Sequence, residues 1–225
     1  MNRLIDTHCH LYLEEFNPDL EQVIKKAEHE GVVKFMLPAI DSSQTENLLE
    51  TERRFRGQCF AMMGLHPCSI KENYEEELRL VEHWLEKRAF VGVGEIGLDY
   101  YWDLTFKSQQ MEAFDKQIQL AIKHKLPIVI HSRNSLDDCI EVVSRYRGEL
   151  TGIYHCFSGS LQQAQAIIEL GFYLGIGGVL TYKNAGLAEV VKDIPLEHIV
   201  LETDSPYLTP VPFRGKRNES SYLNT

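Results

Sequence analysis

Five of the nine histidines and two carboxylates follow short apolar segments of the chain. Imidazole nitrogens and carboxylate oxygens are common protein ligands of divalent transition metals. The histidines are His8, His10, His66, His131 and His155, and the carboxylates are Glu95 and Asp204. If the apolar segments are parallel strands, their carboxyl ends lie at one edge and bring these side chains together. The pattern therefore predicts a metal centre built from residues that are distant in the chain.

The triplet His8-Cys9-His10 is the clearest local signal. Alternate side chains of an extended chain share a face, so both histidines are expected to point into the site and Cys9 away from it. The same alternation predicts that Cys156, next to His155, packs on the outside.

Eight apolar segments alternate with helical patterns, and most are continuous, as is typical of buried parallel strands. They cover residues 4–8, 33–40, 59–65, 91–97, 127–131, 152–156, 172–177 and 199–204. Caps and apolar residues spaced three or four apart predict helices near 18–31, 74–85, 111–121, 160–171 and 184–192, and a further helix that starts at Ser135. Eight units of about 28 residues predict an α/β fold of the TIM (β/α)8 barrel type. An open doubly wound sheet is the alternative, but no dinucleotide fingerprint follows the first strand.

The order of strands in such a barrel divides the ligand candidates between two ions. Strands one and eight are neighbours, as are strands five and six, and a carboxylate on strand four would bridge the two ions. The first group is His8, His10 and Asp204, the second is His131 and His155, and the bridge is Glu95. Zinc, manganese, cobalt and iron suit this ligand set, whereas magnesium prefers oxygen ligands.

The composition limits the class of protein. A net charge of −10 argues against binding nucleic acid through a broad basic surface but allows a local cation site. Five scattered cysteines argue against a disulfide framework. No apolar run approaches about 18 residues and no signal peptide precedes the first strand, so we expect a cytoplasmic protein without membrane association. The length favours one domain, residues 1–225.

The motifs resemble those of the TatD family of metal-dependent deoxyribonucleases, which are amidohydrolase-like barrels. The matching stretches are DTHCH at 6–10, GLHP at 64–67, GEIGLDYY at 94–101, HSR at 131–133, HCFSG at 155–159, ETDSPY at 202–207 and RGKRN at 214–218. The resemblance implies hydrolysis of DNA phosphodiester bonds, with the six ligand candidates carried over. Ser220 stands where the family usually has proline. The family also continues beyond Thr225, so we expect the final closing helix to be missing, the barrel to be C-terminally truncated, and an apolar strip outside strands eight and one to be uncovered.

The expected reaction is attack of metal-activated water on a phosphodiester bond of DNA. We expect the DNA to be single-stranded or to have a free end, as for an exonuclease. We expect no obligate protein partner. Glu95 and Asp204 are the catalytic candidates, because Asp204 can both bind a cation and accept a proton from water. Glu202 shares the face of Asp204 and would support a ligand from behind.

A phosphate contact is predicted for Arg133, since its forked guanidinium suits phosphate oxygens. Ser158 could offer a hydroxyl to the same group, and His66 could bind a substrate phosphate or simply pack. Residues 100–102 are aromatic and could stack a base or simply fill a loop. The cluster at 214–217 could guide a phosphate backbone or form a solvated tail.

Two other functions fit the same residues. One is a metal-dependent amide or ester hydrolase on the same barrel. The other is an inactive truncated barrel that binds metal. The absence of a lysine at any strand end, where some binuclear barrels bridge their ions with carbamylated lysine, favours Glu95 as the bridge and counts against the first alternative.

Overall fold

A computed structural model describes residues 3–225. In this range eight strands alternate with seven α-helices. The strands are β1 Leu4–Asp6, β2 Val32–Leu37, β3 Cys59–Ala61, β4 Val93–Asp99, β5 Ile128–Arg133, β6 Gly152–Tyr154, β7 Phe172–Ile176 and β8 Ile199–Leu201. The helices are α1 Leu20–His29, α2 Thr45–Arg54, α3 Tyr74–Lys87, α4 Lys107–His124, α5 Leu136–Ser144, α6 Leu161–Glu169 and α7 Leu187–Val191.

The strands pair in parallel and in chain order, as β1-β2-β3 and as β4 through β8. An isolated bridge between Met63 and Val93 joins the two sheets at one seam. At the other seam the amide of Thr7 donates to the carbonyl of Leu201 at 3.1 Å. The architecture is the predicted TIM barrel and not the doubly wound alternative.

The sequence predicted six of the seven α-helices described here, and the exception is α2. Helix α6 begins with the predicted capping box, in which Ser160 and Gln163 bond each other's backbone amides. Helix α2 was not predicted, because its buried face consists of Thr45, Leu48 and Thr51 and two of these three are polar. A hydrophobic period cannot be recognised in so polar a segment.

The segment after β8 contains no α-helix within residues 202–225 and ends in a 3₁₀ turn, Ser220–Asn224. Arg217 binds the carboxylate of Asp19 before α1 with two bonds of 2.7 and 2.8 Å, so the segment lies beside that helix. Ile5 on β1 and Leu201 on β8 are each about two-fifths exposed. Within residues 3–225, every helix is too short or too polar to cross a membrane.

Candidate metal centre

The six ligand candidates converge at the carboxyl ends of the strands. His8 Nε2 lies 3.3 Å from His10 Nε2. Asp204 Oδ1 lies 3.4 Å from His10 Nε2 and 3.7 Å from His8 Nε2. Side chains separated by almost the whole chain thus meet, because β1 and β8 are neighbours in the barrel.

Glu95 stands between the two predicted groups of histidines and is almost completely buried. Its Oε2 lies 3.1 Å from His8 Nε2 and 3.7 Å from His10 Nε2. Its Oε1 lies 2.8 Å from His131 Nδ1 and 3.7 Å from His155 Nε2. The two oxygens of one carboxylate therefore face the two groups separately, which is the geometry required of a bridge.

Asp204 reaches the cluster from an unusual backbone conformation. Its φ is 55°, in the left-handed region that residues other than glycine rarely adopt. Its amide donates to the carbonyl of His8 at 2.8 Å, and the amide of His10 donates to Ser205 at 2.8 Å. These bonds to the segment after β1 hold the conformation and turn the carboxylate toward the histidines.

Two histidines form a hydrogen bond through the nitrogen that faces away from the cluster, and a third has a carboxylate close to that nitrogen. Asp99 Oδ2 lies 2.9 Å from His131 Nε2, and Glu202 Oε1 lies 3.0 Å from His155 Nδ1. Tyr12 donates its hydroxyl proton to a backbone carbonyl, so its oxygen accepts from His10 Nδ1 at 3.0 Å. A proton fixed on the outer nitrogen leaves the inner nitrogen as a lone pair, the form that binds metal.

Asp99 was missed by the sequence analysis, whereas Glu202 lies where a supporting carboxylate was expected. The missed signal was available, because Asp99 follows Glu95 by four residues in β4 and so shares its face. The second oxygen of Asp99 accepts the amides of Tyr101 at 2.9 Å and Trp102 at 3.3 Å. One buried carboxylate therefore joins a candidate ligand to the loop that follows β4.

His66 has the opposite arrangement of its ring nitrogens. Its Nδ1 accepts the backbone amide of Cys68 at 3.0 Å, so the proton of the neutral ring resides on Nε2. That nitrogen lies 3.4 Å from Glu95 Oε1. A neutral His66 is therefore a hydrogen-bond donor toward the site, although it also lies with Glu95 and His131 in a group close enough to hold an ion.

Electrostatics in the cluster reflect buried acids and bases that face one another. Burial raises the pKa of Glu95, but the surrounding histidines outweigh it and hold the pKa well below its usual range. Burial lowers the pKa of His155, but the carboxylates of Glu202, Glu95 and Asp204 raise it to about 10. Burial lowers the pKa of His131, but the carboxylates of Asp99 and Glu95 outweigh burial and raise it.

The donor set fits divalent cations. The buried carboxylates raise the pKa of His131 and His155, so the cluster favours positive charge beside them. A divalent cation compensates the same charge and uses lone pairs that the outer hydrogen bonds have already directed inward. The described residues contain three groups of side chains close enough to hold an ion, two of which include Glu95.

A cavity of about 670 Å³ adjoins the cluster, and Arg133, Ser158 and Cys156 lie on its wall. The placement of Cys156 corrects the expectation that it packs outside. Strand β6 ends at Tyr154, so the alternation of side chains no longer applies two residues later.

The basic cluster at 214–217 is largely engaged within the protein. Arg217 is bound by Asp19 and Glu219, and the guanidinium of Arg214 lies 4.1 Å from the ring centre of Tyr182. Arg217 therefore has a structural role, and the chain provides less free positive charge for a phosphate backbone than the sequence suggested.

Comparisons with known proteins show the family and the fold of this chain. The family model described as TatD related DNase matches residues 5–225. The uncharacterized metal-dependent hydrolase YabD of Bacillus subtilis is 40% identical, over 98% of this chain and 87% of the relative. The crystal structure of YjjV, a TatD homolog from Escherichia coli, superposes with a TM-score of 0.93 at 33% identity, covering 99% of this chain and 86% of that one. A TatD family hydrolase from Entamoeba histolytica, at 23% identity, has the same fold with a TM-score of 0.81.

Proposed function

The chain belongs to the TatD-related DNase family of metal-dependent hydrolases, and we propose that it is a deoxyribonuclease that removes nucleotides from DNA with a single strand or a free end. The observation that carries the proposal is the pairing of two kinds of group at one cavity. The candidate metal ligands line the same cavity as two hydrogen-bond donors, His66 and Arg133. A phosphodiester needs both, since its oxygens accept hydrogen bonds and its cleavage needs activated water.

The proposal assigns two divalent cations to the cluster, with zinc, manganese, cobalt or iron favoured by the ligand set. When bound, such ions lower the pKa of water and neutralise charge on phosphate oxygens. His8, His10 and Asp204 would hold the first ion, and His131 and His155 would hold the second; the two oxygens of Glu95 face the two groups separately.

The remaining groups bind substrate and move protons. Nε2 of His66 donates to a phosphate oxygen, and the fork of Arg133 donates to a second one. Ser158 on the same wall offers its hydroxyl. Oδ1 of Asp204 faces the histidines, which leaves Oδ2 to accept the proton of the attacking water. We place this activity in the cytoplasm, in one domain without an obligate protein partner.

Product mapping tests the proposal directly. The purified chain, loaded in turn with manganese or zinc, is incubated with end-labelled single-stranded DNA, duplex DNA, RNA, and sets of amides and carboxylic esters. We expect stepwise shortening of DNA from one end, which a chelator abolishes and Glu95→Gln lacks. Turnover of amides or esters alone would refute the nuclease assignment.

A second experiment tests the role of His66. His66→Phe removes the donor but keeps a ring of similar size, so we expect kcat/KM on DNA to fall about 10- to 100-fold. Bound metal, measured by elemental analysis, should equal that of the unaltered protein. Loss of metal in this variant would show that His66 is a ligand and not a phosphate donor.

A further inference from the structure

Two large aromatic side chains are exposed at the rim of the cavity. Tyr101 is 53% exposed and Trp102 is 69% exposed. Their rings meet edge to face, with centroids 4.8 Å apart and planes at 89°. Trp102 also lines the cavity that contains Glu95 and Asp204. Apolar area of this kind is costly to leave in water and indicates a binding surface.

The position of this aromatic pair is coupled to the metal centre. Oδ1 of Asp99 accepts the amides of Tyr101 and Trp102, while Oδ2 faces His131 Nε2 at 2.9 Å. Asp99 itself is 2% exposed, so its three contacts are largely shielded from water. The loop is thus held at a defined distance from a candidate ligand.

Arg133 lies against the same pair. Its guanidinium carbon is 3.7 Å from the ring centre of Tyr101 and 5.2 Å from that of Trp102. Within residues 3–225, no acceptor forms a hydrogen bond or an ion pair with this guanidinium. Stacking on a ring orients the guanidinium and leaves its five N–H groups available to an anion.

We propose that Trp102 stacks on the nucleobase next to the scissile phosphate, while Arg133, oriented by Tyr101, binds an oxygen of that same phosphate. This nucleotide subsite rests on the proposed function, because it supplies the base-recognition element that a nuclease acting on single strands uses. The rim combines an open aromatic face with an unpaired cation, and a nucleotide presents the matching π face and anion. An apolar partner would leave the guanidinium without an acceptor.

Binding of two small probes tests the subsite without any hydrolysis. The probes are dAMP and 2-deoxyribose 5-phosphate, which differ only in the base. Trp84→Phe leaves Trp102 as the sole tryptophan, since the chain has two. In the metal-loaded protein we expect dAMP to quench its fluorescence and to bind about tenfold or more tightly than the sugar phosphate.

Two variants separate the roles of the aromatic residues. Trp102→Ala should abolish the preference for dAMP while leaving the affinity for the sugar phosphate unchanged. Tyr101→Ala should weaken both probes by a similar factor, because it releases Arg133. Tyr173→Ala removes a comparably exposed tyrosine on β7 and should bind both probes normally. Equal affinities for the two probes in the unaltered protein, or a preference that survives in Trp102→Ala, would overturn the inference.

The same measurements distinguish this inference from the proposed function. If the protein prefers dAMP through Trp102 but never cleaves DNA, the subsite is confirmed and the nuclease assignment is wrong. If the unaltered protein and Trp102→Ala each cleave intact and abasic single strands with equal kcat/KM, the nuclease assignment is confirmed and the subsite is wrong.

Discussion

Replacing Asp99 with asparagine should weaken metal binding through the tautomer of His131. The amides of Tyr101 and Trp102 both donate to Oδ1 of Asp99, so the carbonyl oxygen of the new side chain is expected to stay with them. Its amide nitrogen then faces His131 Nε2, which lies 2.9 Å from the replaced oxygen. The amide N–H can only donate a hydrogen bond, so Nε2 of the imidazole must accept it. The proton of the neutral ring must then reside on Nδ1, the nitrogen that faces Glu95.

Metal affinity should fall because a proton on Nδ1 of His131 blocks metal binding by that nitrogen. Nδ1 lies 2.8 Å from Glu95 Oε1, so a proton there removes the lone pair that the second metal position needs. Loss of an outer carboxylate costs metal affinity about 10- to 100-fold, or about 1.4 to 2.7 kcal/mol. Asp99→Ala also removes the carboxylate but imposes no tautomer. We therefore expect asparagine to lower the affinity of the second ion at least as much as alanine.

Competition with a chromophoric chelator measures the affinity, and ¹⁵N shifts of the histidine rings report the tautomer of His131. Asp103→Asn is the matched control, because Asp103 lies in the same loop, and its exposed carboxylate faces Lys71 and the amide of Thr105 and no histidine in the described residues. Unchanged affinity in both Asp99 variants, or a proton that remains on Nε2 in Asp99→Asn, would falsify this account of the site.

Three further predictions concern the stability of the fold, its pH dependence and metal affinity. Gly97→Ala should destabilise the fold by at least about 3 kcal/mol in urea unfolding, because φ at this position is +138° and an added Cβ would lie 2.1 Å from the carbonyl oxygen of His131; a cost below about 1 kcal/mol would contradict it. Burial raises the pKa of Asp6 from 3.8 to about 6, so the folded protein binds this proton more tightly than the unfolded chain, and its contribution to stability is lost as the pH rises through this window. Asp6→Asn does not titrate, so its stability relative to the unaltered protein should rise by about 3 kcal/mol between pH 3 and pH 7, and a constant difference would refute the shift. In Gly175→Ala the new Cβ would lie 2.2 Å from Glu202 Oε2, so the displaced carboxylate should lower metal affinity about tenfold by chelator competition, whereas normal affinity would show that Glu202 is not needed.

Much of the fold was predictable because its signals are local. Continuous apolar segments marked all eight strands, and the Ser160 box marked the start of α6. Strand ends were less predictable, since β1 stops at Asp6, two residues before His8. Pairing with neighbouring strands decides where a strand ends, and the residues of one segment do not reveal its neighbours' register. Helix α2 remained hidden because tertiary packing buries its threonines.

The sequence by itself determined which side chains meet, because the carboxyl ends of parallel strands share one rim wherever their residues lie in the chain. Only the tertiary structure decided what each side chain does there. His10, His131 and His66 look alike in the sequence, yet Tyr12, Asp99 and the Cys68 amide direct their protons differently. The structure likewise engages Arg217 with Asp19 and leaves Arg133 unpaired among residues 3–225. Proton positions and ion pairs depend on partners supplied by other elements at distances of about 3 Å, which no spacing within one segment encodes.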